Sequence, residues 1–247
     1  MSEKRTAVVI PARYGSSRFP GKVLAPLAGK PMIQHVFERA SASQADMCLI
    51  AADDERVIKA CEKFGARAIM TDPDLPSGSD RIAAALAGIE TDIVINVQGD
   101  EPLLPTEAIN ALIDRMKQSD NPDMATIGVQ ASREELDNPN KVKLVMSNSG
   151  RALYFSRSMI PFLRSGGVDM PVYLHWGIYA YRHEILKKFV SLPAGKLENC
   201  EKLEQLRALE NDIAIQVLIT NLESVGVDTP EDLVRAEAKL IEKMKQL

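Results

Sequence analysis

The chain has 247 residues, 45% hydrophobic and 26% charged, enough to bury a substantial core and too apolar for a disordered or fibrous protein. A net charge of −4 and an isoelectric point near 5.5 give no overall basic field for nucleic acid, so any cluster of cations is a local feature suited to a small anionic ligand. Cys48, Cys61 and Cys200 are too few and too scattered for a disulfide framework or a C-x-x-C pair. The apolar segment before Arg13 is too short for a signal peptide and no stretch is long enough to span a bilayer, so the expected compartment is the cytoplasm, without membrane insertion.

The first predicted element is a buried parallel strand, Val8 to Ile10, bounded by Pro11 and followed by Ala12-Arg13-Tyr14-Gly15-Ser16-Ser17-Arg18-Phe19-Pro20-Gly21-Lys22. Ligands of open α/β sheets sit beyond the carboxyl ends of such strands. Gly15 and Gly21 allow close backbone approach to an anion, Ser16 and Ser17 supply donors, and Arg13, Arg18 and Lys22 neutralise charge, as a nucleoside triphosphate requires. It is not a Walker A loop, because five residues separate the glycines and Val23 follows the lysine, and no G-x-G supports a dinucleotide fingerprint. A solvated Gly/Ser turn with surface cations is the competing reading.

Helix, strand and helix follow at Pro31 to Ala42, Met47 to Ala52 and Asp54 to Phe64, the last ending at Gly65. A short strand at Ala68 to Met70, a helix from Ser79 to Ala87, a strand at Ile93 to Val97 and a helix from Thr106 to Lys117 continue the alternation. The predicted fold class is therefore α/β, a Rossmann-like, mostly parallel sheet with helices on both faces. Within this half, Ser77-Gly78-Ser79-Asp80-Arg81 is a polar turn suited to a nucleobase edge or ribose, or simply a helix start. Asp100, in Gln98-Gly99-Asp100-Glu101-Pro102, follows a buried strand and suits a hard cation such as Mg2+, although Gly-Asp and Glu-Pro are also common turn pairs.

After Asn121-Pro122 the strand-like segments Met124 to Val129, Val142 to Met146, Ala152 to Phe155 and Val172 to Tyr181 follow with few helical intervals, predicting an antiparallel subdomain over about 122–182 within a single 1–247 domain. Ser165-Gly166-Gly167 reads as a mobile loop. Period-two alternation puts His175, Gly177, Tyr179 and Tyr181 on one face, leaving room for a polyhydroxylated ligand, while a lone strand histidine is more often structural than catalytic. A helix from Cys200 to Glu210, carrying Leu203-Glu204-Gln205-Leu206-Arg207, a strand at Ala214 to Ile219 and a charged amphipathic helix from Pro230 return to the main sheet. Asp228 lies one residue before the expected cap Thr229, available to a ligand or simply favourable at a helix start.

Together these residues resemble the nucleotide-sugar pyrophosphorylase superfamily, and within it the 3-deoxy-manno-octulosonate (Kdo) cytidylyltransferases, or CMP-Kdo synthetases. The resemblance runs over essentially the whole chain, through Ile10 to Lys22, Asn96-Val-Gln-Gly-Asp100-Glu-Pro, Ala152-Leu-Tyr-Phe-Ser-Arg157-Ser, His175-Trp-Gly-Ile-Tyr179, Leu203 to Arg207 and Val227-Asp-Thr-Pro-Glu-Asp232. It implies a nucleotide-binding set of Ala12, Arg13, Ser16, Lys22, Ser77, Gly78, Arg81 and Gln98, with Arg13, Ser16 and Lys22 on the CTP phosphates. It implies Mg2+ held by Asp100 and Asp228, which with Arg13 and Lys22 form the expected catalytic group. On the sugar side it implies Arg157, His175, Tyr179, Glu204 and Gln205, and it implies a homodimer through the antiparallel region. Trp176 departs from the family pattern, where a smaller aliphatic residue is usual, and is expected to face away from His175.

The implied reaction is Mg2+-dependent transfer of CMP from CTP to the anomeric hydroxyl of Kdo for lipopolysaccharide assembly. The alternatives are the same reaction on the C8-amino analogue or another acidic sugar, and a nucleotide-binding regulator without turnover.

Overall fold

Thr6–Ala12 (β1) alternates its side chains between two apolar layers: Val8, Ile10 and Ala12 pack with Ile33, Val36, Val57 and Ile109, whereas Ala7 and Val9 pack with Ile82, Leu186 and Leu206. Burial on both sides is why this segment reads as a continuous apolar run. In the computed structural model, which describes residues 4–15, 19–118, 120, 122–164 and 170–245, the chain then forms a short hairpin, Pro26–Leu27 (β2) and Lys30–Pro31 (β3). There follow Met32–Ser41 (α1), Met47–Ala52 (β4), Glu55–Lys63 (α2), Ala68–Met70 (β5), Gly78–Ala85 (α3), Ile93–Asn96 (β6) and Thr106–Lys117 (α4). The second half contains Met124–Gln130 (β7), Lys143–Met146 (β8), Ala152–Ser156 (β9), Tyr173–Arg182 (β10), His183–Ser191 (α5), Lys196–Glu201 (α6), Gln205–Glu210 (α7), Ile215–Thr220 (β11) and Pro230–Lys245 (α8).

The central sheet runs β11-β7-β10-β6-β1-β4-β5, with β8 paired to β10 and β9 to β8. β1 pairs in parallel with β4 and β6, β4 with β5, and β11 with β7, whereas β10 is antiparallel to β6, β7 and β8. The predicted α/β class stands. Helices α1, α2 and α4 contribute to one core layer and α3, α5 and α7 to the other. A third cluster seats α8 through Ala236 and Leu240 on Leu27, Met32, Leu103 and Val227. Among the described residues no helix is long and apolar enough to cross a membrane.

Several expectations need correction. β1 continues through Pro11 to Ala12, which pair with Ala51 and Ala52; β6 stops pairing with β1 at Val9, so on that side Pro11 has no ladder partner to lack a donor for. Over about 122–182, β7 and β10 lie on the main path of the nine-stranded sheet, and β8 and β9 extend it antiparallel from β10. Helix α5 was not expected, and the single helix over 200–210 is two, α6 and α7, separated by a left-handed Lys202 (φ 53°). Register shifts between Trp176 and Tyr179, so Gly177 belongs to a bulge and not to a regular alternating face. Ser165-Gly166-Gly167 lies outside the described residues.

Candidate active site

From β1 the sheet extends through β4 and β5 on one side and β6 on the other, so the topological switch point lies between β1 and β6. Their carboxyl ends are packed together without room for side chains. A Cβ on Gly99 would stand 2.8 Å from the Pro11 carbonyl oxygen, and one on Gly78 would touch the Pro11 ring at 3.5 Å. Three chain segments therefore meet at Pro11: the loop after β1 with Ala12 and Arg13, the Ser77-Gly78 start of α3, and the Gln98-Gly99-Asp100 turn. Gly21 closes the first loop, its N–H donating to the Tyr14 carbonyl at 2.9 Å with φ 71°, against a tyrosine ring that leaves no space for a side chain. The Tyr14 N–H in turn donates to Asp53 (2.8 Å), and the Arg56 guanidinium covers the ring at 3.5 Å.

That closure delivers Lys22 to the centre of the site. Its ammonium donates to Asp100 Oδ2 at 2.7 Å and to Asp228 Oδ1 at 3.4 Å, joining side chains 128 residues apart in sequence. The lysine side chain is 9% exposed, while those of Asp100 and Asp228 are 35% and 55% exposed. Two carboxylates facing one cationic atom are hard oxygen donors of the kind that could hold a divalent cation such as Mg2+. Among the described residues no group of three or more His, Cys, Asp or Glu side chains that could hold a metal ion occurs. Asp228 is held by its own segment: Val227 N–H donates to the Asp100 carbonyl (2.9 Å), and Asp232 accepts from the Asp228 and Thr229 amides, each at 3.0 Å. The last pair is the expected helix cap, with Thr229 Oγ1 accepting from Asp232 N–H.

A second group adjoins α3. Ser77 Oγ lies 2.7 Å from Glu204 and 2.6 Å from Asp80, so one hydroxyl proton serves two carboxylates, and Ser79 donates to the other Glu204 oxygen at 3.1 Å. Burial raises the Glu204 carboxyl above its ordinary value, opposed by the serine hydroxyls and Arg207. His175 and Tyr179 lie together on the facing strand, rings 5.2 Å apart, and Tyr179 neighbours Tyr181 at 6.0 Å. Burial pushes His175 down to about 3, leaving a neutral ring within 3.2 Å of the Thr126 hydroxyl. Gln205 is buried, and its amide nitrogen has no partner among the described residues.

Other candidates lie apart from these clusters. Arg81 is wholly buried and donates to Thr71 Oγ1 (2.6 Å) and the Asp72 carbonyl (3.1 Å), with Asp53 at 3.8 Å, so its charge anchors the 71–73 turn. Arg157 donates to the carbonyls of Glu201, Pro139 and Lys202, fastening β9 to the end of α6, and its own carbonyl accepts from the fully buried Lys143. Gln98 reaches Asn96 at 3.2 Å, Arg13 is exposed, and Ser16 lies outside the described residues. Trp176 does face away from His175, packing with Ile178 and Ala180 in the opposite layer. Unforeseen was Glu101, which accepts from Ser224 Oγ at 2.6 Å. Burial, with the Asp100 charge adding to it, raises the Glu101 carboxyl to about 7 against the pull of that hydroxyl. Sequence offered only a Glu-Pro turn there.

An α/β sheet with a cation and two carboxylates at its switch point defines a class, the nucleotide-handling enzymes of open-sheet architecture. A family profile described as cytidylyltransferase matches residues 7–215. The chain is 50% identical over 242 residues to 8-amino-3,8-dideoxy-manno-octulosonate cytidylyltransferase of Shewanella frigidimarina, covering 96% of this chain and 98% of that one. The protein of the same name from Shewanella woodyi is 49% identical over 239 residues, 94% and 97% of the two chains. A solved structure of CMP:2-keto-3-deoxy-manno-octonic acid synthetase complexed with CTP superposes with a TM-score of 0.93 at 41% identity, covering 97% and 99%. The chain belongs to the cytidylyltransferase family. It is a nucleotidyltransferase that uses CTP.

Proposed function

We propose that the chain transfers CMP from CTP to the anomeric hydroxyl of 8-amino-3,8-dideoxy-manno-octulosonate, with Mg2+ held by Asp100 and Asp228. The observation that carries the chemistry is the meeting of Asp100, Asp228 and Lys22 beside the switch point. The sugar rests on the two Shewanella relatives, which match over nearly their whole length; Kdo itself is the second reading, favoured by the 41% identical synthetase. The Kdo reading from the sequence thus gives way to its C8-amino alternative. The product would be an activated sugar for lipopolysaccharide assembly, and the β8–β9 hairpin is the proposed contact of a homodimer.

In the reaction the anomeric oxygen forms a bond to the α-phosphorus, the bond from that phosphorus to the oxygen bridging to the β-phosphate breaks, pyrophosphate leaves, and the hydroxyl proton passes to solvent. When bound, Mg2+ supplies charge neutralisation on the phosphates and lowers the pKa of any hydroxyl it contacts. Lys22 and Arg13 would neutralise the triphosphate, while Asp100 and Asp228 would hold the cation. The Ser77-Gly78 turn and Gln98 line the cytidine side. His175, Tyr179, Glu204 and Gln205 orient the sugar, His175 as a neutral hydrogen-bonding group and the unpartnered Gln205 amide as a donor to a ligand oxygen. Arg157 shapes that side through the carbonyls it holds.

Pyrophosphate release measured for CTP, and for the other nucleoside triphosphates, against Kdo, its C8-amino analogue and N-acetylneuraminate, with Mg2+ or with EDTA, tests this directly. The expected result is Mg2+-dependent release with CTP and the C8-amino sugar, at a higher kcat/KM than with Kdo. A higher value for Kdo would establish the second reading, and turnover in EDTA would remove the cation from the account.

A further inference from the structure

We propose that Glu101 is a positioning residue that fixes how Asp100 and Asp228 face one another. The inference rests on reading Asp100 and Asp228 as the cation-holding pair. Glu101 is the immediate neighbour of Asp100 and grips the segment that carries Asp228. One of its oxygens takes the Ser224 hydroxyl at 2.6 Å, and the other lies where a Cβ on Gly226 would stand only 2.8 Å away. The backbone completes the clasp through Val227 N–H to the Asp100 carbonyl, 2.9 Å. From Gly226 to Asp228 is two residues, so freedom at the clasp becomes freedom in the second carboxylate.

Removing a hydrogen-bonding partner behind a ligating carboxylate typically weakens cation binding by about 10–100-fold.

Cation binding is measured by the free Mn2+ electron paramagnetic resonance signal with CTP present and sugar absent, so that no turnover is read. Trp176, the chain's single tryptophan, supplies a second signal through its fluorescence. In E101Q the amide turns an NH2 toward a donor, and in S224A one donor is lost. Both are expected to require about 10-fold more Mn2+ for half-saturation and to blunt the fluorescence response. Excess Mg2+ should restore kcat to near the wild-type value, which a general packing defect would not permit. Normal Mn2+ affinity in folded E101Q and S224A, with binding lost in D100N, overturns the positioning role and leaves the cation pair intact. Wild-type Mn2+ binding in D100N overturns the cation pair and with it this inference. If E101Q does not fold, S224A decides the matter.

Discussion

Replacing Lys22 by methionine should turn a cation-independent fold into one whose stability follows Mg2+. The ammonium is 9% exposed and donates at 2.7 Å to Asp100, a charge-assisted contact worth about 1.5–3 kcal/mol. Its 3.4 Å contact with Asp228 adds at most about 0.5 kcal/mol, because that carboxylate is 55% exposed and screened by water. Methionine keeps most of the stem and removes the cost of burying an ammonium, which offsets part of the loss. The net expectation is about 2 kcal/mol in EDTA at low ionic strength, or roughly 4–8 °C in Tm for a chain of this size. Millimolar Mg2+ should then recover most of it in K22M, and stabilise the wild type less, because there the ion must displace the lysine. The assay is thermal unfolding of both proteins in EDTA and in Mg2+. Equal stability in EDTA, or no selective gain of K22M in Mg2+, would refute the electrostatic reasoning.

Asp100→Asn should abolish CTP-dependent pyrophosphate release while leaving the circular dichroism spectrum close to wild type and lowering the melting temperature at least as much as K22M does, because it weakens the same 2.7 Å contact; near-normal release would contradict the role given to Asp100. Gly99→Ala places a Cβ 2.8 Å from the Pro11 carbonyl, which neither backbone can relieve without moving the Asp100 turn. It should cost about 1–3 kcal/mol by overpacking, and kcat should fall more than that loss accounts for, as a urea titration and steady-state kinetics together would show. For His175 the folded ring titrates at about 3 and the unfolded one at 6.5, so its contribution is complete above pH 6.5 and declines from there toward pH 3 as the unfolded chain takes up the proton. Wild type should lose about 1.4 kcal/mol more than H175Q between pH 7.5 and 5.5, measured by urea midpoints at the two pH values; identical losses would place the ring in water.

The first half was legible because each element carried its own punctuation. The boundaries of β4, β5 and α4 agree with expectation to the residue, and Asp54 and Ser77 cap α2 and α3 with their side chains. Helix α5 escaped because it begins at His183 directly after β10, with Arg182 at the cap and no side-chain capping bond, so no sequence signal separates strand from helix. The break at Lys202 and the bulge at Gly177 depend on tertiary contacts, Glu204 on the α3 serines and Thr126 on the Trp176 and Ile178 carbonyls, which no local window contains. For the candidate site, motif position at strand ends singled out Lys22 and Asp100, and the spare acid before a cap singled out Asp228, three side chains the fold brings together. What spacing could not supply was which charges are already engaged by the protein. Arg81 and Arg157 hold backbone carbonyls, and Glu101, which looks like a turn residue in sequence, accepts from Ser224 in the segment before Asp228.

The central claim, that Asp100 and Asp228 share one divalent cation against the CTP phosphates, is tested most directly by a crystal of the protein soaked with CTP and Mn2+ and measured at a wavelength where manganese scatters anomalously. The expected map has its peak in contact with both carboxylates and a phosphate oxygen, with the Lys22 ammonium moved from the carboxylates onto the triphosphate. A peak that touches neither aspartate, with Lys22 still paired to Asp100, would contradict the account.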